Sequence, residues 1–292
     1  MTPRTGWLVL LGCLLFFTPS ACTVDSPPEA DSRGRAGTPS LIDDAGTAIV
    51  LEGSPQRIIS LVPSATDILL ALGQADRLVG RTDYDVAAKI EGLPSVGGGL
   101  KPSMEWIASL KPDMVVRFRA ESDPNTPRQL DAMGISHLAI RPDRLDDIRR
   151  IIGLLGSMVG EPLRAASLSA EMDRELRSVS LQVQGADRPR IVFLGGDPPS
   201  VAGPGTFLHE LVELAGGQNA FADIQELYAP ISLEEILRRD VHLILAPEAT
   251  PIPSALGRIP VHRIPLDVLT PGLQVGRSAR VLAAILHPDR FR

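Results

Sequence analysis

An α/β fold of two lobes joined by one long backbone helix is predicted by three observations. The first is the stretch Pro162 to Val183, where Leu168, Met172, Leu176, Val179 and Val183 recur at spacings of four, four, three and four, the period of one helix face. Glu171, Asp173, Arg174, Glu175 and Arg177 occupy the other faces, so one side of the helix is wet. Pro162 suits its first position, where a missing N–H costs nothing, and the helix spans roughly 30 Å. The second is a short apolar run opening each half, Arg57-Ile58-Ile59-Ser60-Leu61 and Arg190-Ile191-Val192-Phe193-Leu194, each followed by a loop containing Pro or Gly, as buried strands are. The third is an echo between the halves. Ser103-Met104-Glu105-Trp106-Ile107 leads to Asp113-Met114-Val115-Val116 as Ser232-Leu233-Glu234-Glu235-Ile236 leads to His242-Leu243-Ile244-Leu245. A duplicated architecture accounts for all three.

From the start of the chain, residues 1–22 are expected to be a secretory signal. Arg4 precedes the run from Trp7 to Phe17, which is shorter than the ~20 residues a membrane span needs. Thr18-Pro19-Ser20-Ala21-Cys22 follows. Its end resembles the lipobox of bacterial lipoproteins, in which the Cys is lipidated and becomes the new N-terminus; Pro19 stands where the lipobox favours Leu. Residues 23–39, rich in Pro, Ser, Gly and charge without periodicity, read as a flexible tether. The N-terminal lobe is expected over 40–160, the connecting helix over 161–185 and the C-terminal lobe over 186–292. Both cysteines precede residue 23, so the folded part has no disulfide and rests on its core. The net charge of −6 argues against nucleic-acid binding, which asks for a basic surface.

In the first lobe, Asp43-Asp44-Ala45-Gly46 is a turn within a small hairpin from Leu41 to Leu51. A helix follows from Pro63, with Ser64 as its N-cap and Gly73 as its stop; Leu78-Val79-Gly80 is a strand and Thr82 to Asp85 a loop. In the second lobe Gly195-Gly196-Asp197-Pro198-Pro199 turns the chain at a strand end, where ligands of open α/β sheets bind. Phe207 to Leu214 and Ser278 to Leu286 read as helices and Val261 to Ile264 as a strand. Ser103 and Ser232 are N-caps, and Glu235, three after Ser232, takes the capping-box position. Glu105 and Glu234 lie two residues after these serines, on matching edges of the two lobes.

The order Arg57-Ile58-Ile59-Ser60-Leu61-Val62-Pro63-Ser64-Ala65-Thr66-Asp67, Gly80, Asp83-Tyr84, Ser103-x-Glu105 and Lys111-Pro112-Asp113-Met114-Val115-Val116 resembles the periplasmic solute-binding proteins of ABC importers for vitamin B12, ferric siderophores and haem. The likeness runs from Leu41 to the C-terminus and is greatest to members that bind vitamin B12. It implies a ligand cleft between the lobes and a rigid helix behind it that permits only small closure. It implies that Glu105 and Glu234 dock on arginines of a dimeric membrane permease, one per subunit. It implies that Tyr84, Phe118 and Tyr228, at positions where such members have ligand-contacting aromatics, face the ligand; Asp197 and Arg277 are added as polar contacts. The sequence departs from those members at Val96-Gly97-Gly98-Gly99, where they carry a further aromatic. The expected protein captures a metal chelate, first of all a corrinoid, and delivers it to the permease, as a monomer held by lipid at Cys22 in the periplasm or on the outer face of the cytoplasmic membrane. A ferric siderophore or haem is the alternative ligand.

An enzyme is not expected. The mature part has no Cys nucleophile, Gly-x-Ser-x-Gly elbow, phosphate loop or His-Glu-x-x-His motif. His137, His209, His242 and His262 are dispersed and read as core or surface residues. Neither a cofactor nor a protein-bound metal is expected, and an envelope hydrolase or a ligand sensor is the reading from another class.

Overall fold

The structure, a computed structural model, describes residues 40–291 except Asp197. The signal segment with Cys22, the tether and Asp197 lie outside the described residues.

The first half begins with the hairpin β1 (Ser40–Ile42) and β2 (Ala48–Val50), closed by the Asp43 carboxylate, which accepts from the Ala45 and Thr47 amides at 2.9 and 2.8 Å. Then come β3 (Ile58–Ser60), α1 (Pro63–Ala71), β4 (Leu78–Gly80), the two-residue strands β5 (Gly97–Gly98) and β6 (Lys101–Pro102), α2 (Met104–Leu110), β7 (Met114–Phe118), α3 (Asn125–Ala132), β8 (His137–Ile140) and α4 (Leu145–Val159). Strands β4, β3, β7 and β8 lie in that order as one parallel sheet. Alternate residues face opposite layers, as strand geometry requires. Ile58, Met114 and Val116 join the apolar cluster of α1 and α4, while Ile59 and Val115 join Ile107 of α2 and Leu130 of α3.

Helix α5 (Pro162–Gln182) follows. The second half holds β9 (Arg190–Gly195), β10 (Ser200–Ala202), α6 (Phe207–Leu214), β11 (Gln218–Asn219), β12 (Tyr228–Pro230), α7 (Leu233–Arg238), β13 (Leu243–Pro247), β14 (Val261–Ile264) and α8 (Val275–Leu286). Its sheet runs β12-β10-β9-β13-β14, with β11 also on β9. The strands β11, β13 and β14 are parallel to their neighbours, and β10 and β12 antiparallel. The alternation repeats: Ile191 and Phe193 join the cluster of α6 and α8, whereas Val192 and Leu194 pack with Phe221 and Ile236.

On α5, Met172, Leu176 and Val179 are buried, with Val183 just beyond, and Leu168 packs beside them. These residues belong to one continuous apolar cluster containing Ile58 and Leu138 of the first sheet and Ile191 and Leu245 of the second. The helix therefore ties both cores together. Against α4 the approach is close: a Cβ on Gly156 would stand 2.3 Å from the Ala165 Cβ, so only glycine fits there. In front of the spine a second tie joins the halves. Glu210 of α6 accepts from the Arg144 guanidinium at 2.8 Å and from the Leu145 amide, in the first turn of α4, at 2.7 Å, where the helix dipole favours an anion.

Two expected caps differ. Helix α1 starts at Pro63, with Val62 at the cap position, and Ser64 is buried inside the helix. Proline at the first helical position, with its fixed φ, outcompetes a Ser cap one residue later. At α7 the Ser232 hydroxyl accepts from the Glu235 amide at 3.2 Å, but the Glu235 carboxylate turns to Arg238 and Arg239. A charge-assisted pair three or four residues on is stronger than the neutral half of a capping box.

Candidate ligand-binding site

A cavity of about 480 Å³ opens at the C-terminal ends of the first sheet's strands, lined by Leu61, Val62, Pro63, Tyr84, Gly98, Gly99, Leu100, Lys101 and Phe118. This end of a parallel sheet is where loops diverge and leave room for a ligand. Nearly all of its lining is apolar, the usual character of a site for a large organic group.

Tyr84 reaches the cavity from a turn built by Asp85. That buried carboxylate accepts from the Thr82 amide at 2.7 Å and the Thr82 hydroxyl at 2.8 Å, and the same hydroxyl accepts from the Tyr84 amide at 3.2 Å. Asp83 ties the turn to the next segment: it accepts from the Ser95 hydroxyl at 2.5 Å, and its amide donates to the Gly97 carbonyl at 3.1 Å. The backbone is thus fixed while the ring, 68 % exposed, stands free.

The adjoining lip is the hairpin β5–β6, in which Gly98 pairs with Lys101. A Cβ on Gly99 would lie 2.1 Å from the Leu61 carbonyl oxygen, while one on Gly98 would lie 3.8 Å from the Tyr84 ring. Gly99 therefore lets the hairpin sit against the end of β3 and form the wall.

Phe118, half-buried, ends β7 and supplies the far wall. The residue before it points into the other layer. Arg117 is buried and donates through Nε to His137 Nδ1 at 3.2 Å, and His137 Nε2 lies 3.1 Å from the Asp131 carboxylate. An accepting Nδ1 places the ring proton on Nε2, donated to Asp131. Burial lowers the Arg117 pKa, opposed by the charges of Asp43, Asp123 and Asp131.

Tyr228 is the third aromatic expected at the ligand. It lies on the edge strand β12, 52 % exposed, and lines a separate cavity of about 80 Å³ with Phe193, Leu208, Leu245 and Leu269. Burial of the phenol pushes its pKa up to about 12, and Asp143, on the loop between β8 and α4, adds to the shift. Asp143 itself reaches the second half, where its carbonyl accepts from the Phe207 amide at 2.5 Å. The structure brings Tyr84 and Phe118 into one cavity and sets Tyr228 in another. Arg277 falls elsewhere: it lies 3.7 Å from Asp267 and lines a groove of about 490 Å³ beside α5, with Glu171, Glu175 and Arg280.

Glu105 and Glu234 occupy corresponding positions, each the second residue of a helix capped by Ser103 or Ser232. Both are exposed, and among the described residues neither is in an ion pair. Among the described residues no group of three or more His, Cys, Asp and Glu is placed to hold a metal ion, and no helix is long and apolar enough to cross a membrane.

Sequence reasoning missed the wall Leu61-Val62-Pro63 and the lip Gly98-Gly99-Leu100-Lys101. The available signal was the run of three glycines from Gly97, read as a missing aromatic when it marked a close approach of two backbone segments.

Residues 58–249 match the sequence profile of the family described as periplasmic binding protein. A cobalamin-binding protein of Halobacterium salinarum is 29 % identical over 259 residues, which cover 83 % of this chain and 68 % of that protein. An uncharacterized ABC transporter substrate-binding lipoprotein of Bacillus subtilis is 26 % identical over 316 residues, covering both chains in full. Among solved structures, the periplasmic heme-binding protein of Roseiflexus sp. RS-1 in apo form superposes with a TM-score of 0.70 at 26 % identity, over 82 % of this chain and 100 % of that one.

Proposed function

The chain belongs to the periplasmic binding protein family, and from that premise we propose that it is the extracytoplasmic receptor of an ABC importer, capturing a metal chelate and passing it to a membrane permease. The observation that carries this reading is the apolar cavity at the strand ends, with Tyr84 and Phe118 as flat walls. Such walls suit the face of a large conjugated ring. A corrinoid is the first choice of ligand, supported by likeness to a cobalamin-binding protein over most of the chain. Haem is the second reading, favoured by the fold match to a heme-binding protein at 26 % identity. No bond is broken in this role.

Several further assignments belong to the same proposal. Tyr228 closes on the ligand from the second half, and Asp197 is a candidate polar contact; Arg277, expected as another, lines the groove beside α5 instead. Glu105 and Glu234 pair with arginines of the permease dimer, one per subunit. Lipidation at Cys22 tethers the protein, as a monomer, at the outer face of the cytoplasmic membrane or within the periplasm; likeness to a substrate-binding lipoprotein over the whole chain supports this.

The test is isothermal titration of the purified protein with cobalamin, cobinamide, haem and a panel of ferric siderophores. One-to-one, submicromolar binding of a corrinoid is the expected result. Binding of haem or a siderophore alone would replace the ligand and keep the receptor, whereas silence across the panel would overturn the reading and return the hydrolase and sensor alternatives.

A further inference from the structure

Lys101 is the single charged residue lining the cavity of Tyr84 and Phe118. Among the described residues it is in no ion pair, and it stands exposed at the edge of an otherwise apolar lining. Its backbone is fixed, because β6 pairs with β5 across the tight connection Gly99-Leu100, and Gly99 is wedged against the Leu61 carbonyl. The two acids of the turn that carries Tyr84 are engaged elsewhere, Asp83 by the Ser95 hydroxyl and Asp85 by Thr82. A ligand that fills this cavity covers the ammonium group. Covering an unpaired cation costs affinity unless the ligand brings an anion to it. A flat ligand stacked on Tyr84 and Phe118 would bring an edge within reach of the β5–β6 lip, which lines the same cavity.

We propose that Lys101 is a specificity-determining residue that selects chelates carrying a carboxylate or phosphate at the ring edge over their amidated or esterified counterparts. The proposal rests on the receptor reading above and ranks ligands within it: of two chelates that fit the cavity equally, the one with a free acidic arm binds more tightly. Lys101 takes no part in forming the fold, since its side chain is exposed. Its removal therefore changes selection and leaves stability intact.

The experiment measures affinity for matched pairs: haem against haem dimethyl ester, and a corrinoid with one free propionate against the same corrinoid fully amidated. Wild-type protein, Lys101→Met and Lys101→Arg are compared by titration at low and moderate salt. In wild type the acidic member of the pair that binds is expected to be favoured by about tenfold, the low end for a charge-assisted hydrogen bond, and less so as salt rises. Lys101→Met should erase the preference by weakening the acidic member alone, and Lys101→Arg should restore it. The proposal is overturned if wild type binds both members equally, or if Lys101→Met weakens both by the same factor, while the receptor reading stands. Binding of no member of either pair, nor of any siderophore, overturns the receptor reading first and this proposal with it.

Discussion

Tyr84 and Phe118 face one cavity from backbones held in different ways. Phe118 closes a central strand, so its ring is set by the sheet; Tyr84 rides on a turn that Asp85 pins through Thr82. Each ring contributes stacking and apolar area to a bound ligand. We predict that Tyr84→Ala weakens binding by about tenfold without moving the melting temperature, because the ring is largely exposed. Phe118→Ala should weaken binding similarly and also lower the melting temperature, because that ring packs against the main core. Equal affinity in both variants and wild type, read by titration, would remove the cavity from consideration. Tyr228 offers a pH test. Its folded pKa of about 12 exceeds the ordinary 10.0, so the neutral phenol is favoured by folding. The stability it contributes is complete below pH 10 and disappears as the pH climbs to about 12. Denaturant titrations between those limits should show a fall in stability that Tyr228→Phe reduces.

At the scale of elements, α5 carries the molecule's joint. Leu176 is buried in the cluster shared by both halves, and Leu176→Ala is predicted to cost about 2–5 kcal/mol. Because the cluster is continuous, one cooperative unfolding transition with an unchanged denaturant slope is expected; two separated transitions would show that the halves unfold independently. This helix was legible in the sequence because its stripe from Leu168 to Val183 repeats over five positions, more than chance alternation supplies. The strands Ile58–Ser60 and Arg190–Gly195 were legible as apolar runs bounded by Pro and Gly, and Ser103 and Ser232 announced helices α2 and α7. The cavity was only half legible. Tyr84 and Phe118 stood out because aromatics are scarce, but the wedge of Gly99 on Leu61 joins residues far apart in sequence, and no local pattern encodes such an approach. Ser64 misled for a local reason: Pro63 beside it had the stronger claim on the helix start. Arg277 shows the same limit, since its side of α8 is set by packing on α5 and not by the residue type.

For the whole molecule, the matched placement of Glu105 and Glu234 bears on the proposed docking to a permease. Two exposed acids, in matching helices of matching halves, contribute little to the fold itself. Reversing both, Glu105→Arg with Glu234→Arg, is predicted to abolish ligand uptake by cells while leaving the purified protein's affinity and melting temperature unchanged. Uptake that survives the double reversal would sink the docking assignment. A sensor without a permease would tolerate the same change.

The continuous core behind the cavity carries a consequence for signalling. Swinging the halves apart would tear Met172, Leu176 and Val179 from apolar neighbours on both sides, so we predict that the frame keeps almost the same outline empty or loaded. Small-angle scattering profiles with and without ligand should then superimpose, and a large contraction on loading would contradict this. A permease facing such a cup would then gain no reading of occupancy from its silhouette. In the proposed importer the permease would sense the cargo itself, through the part of the ligand left exposed beside Tyr84 and Lys101 at the rim.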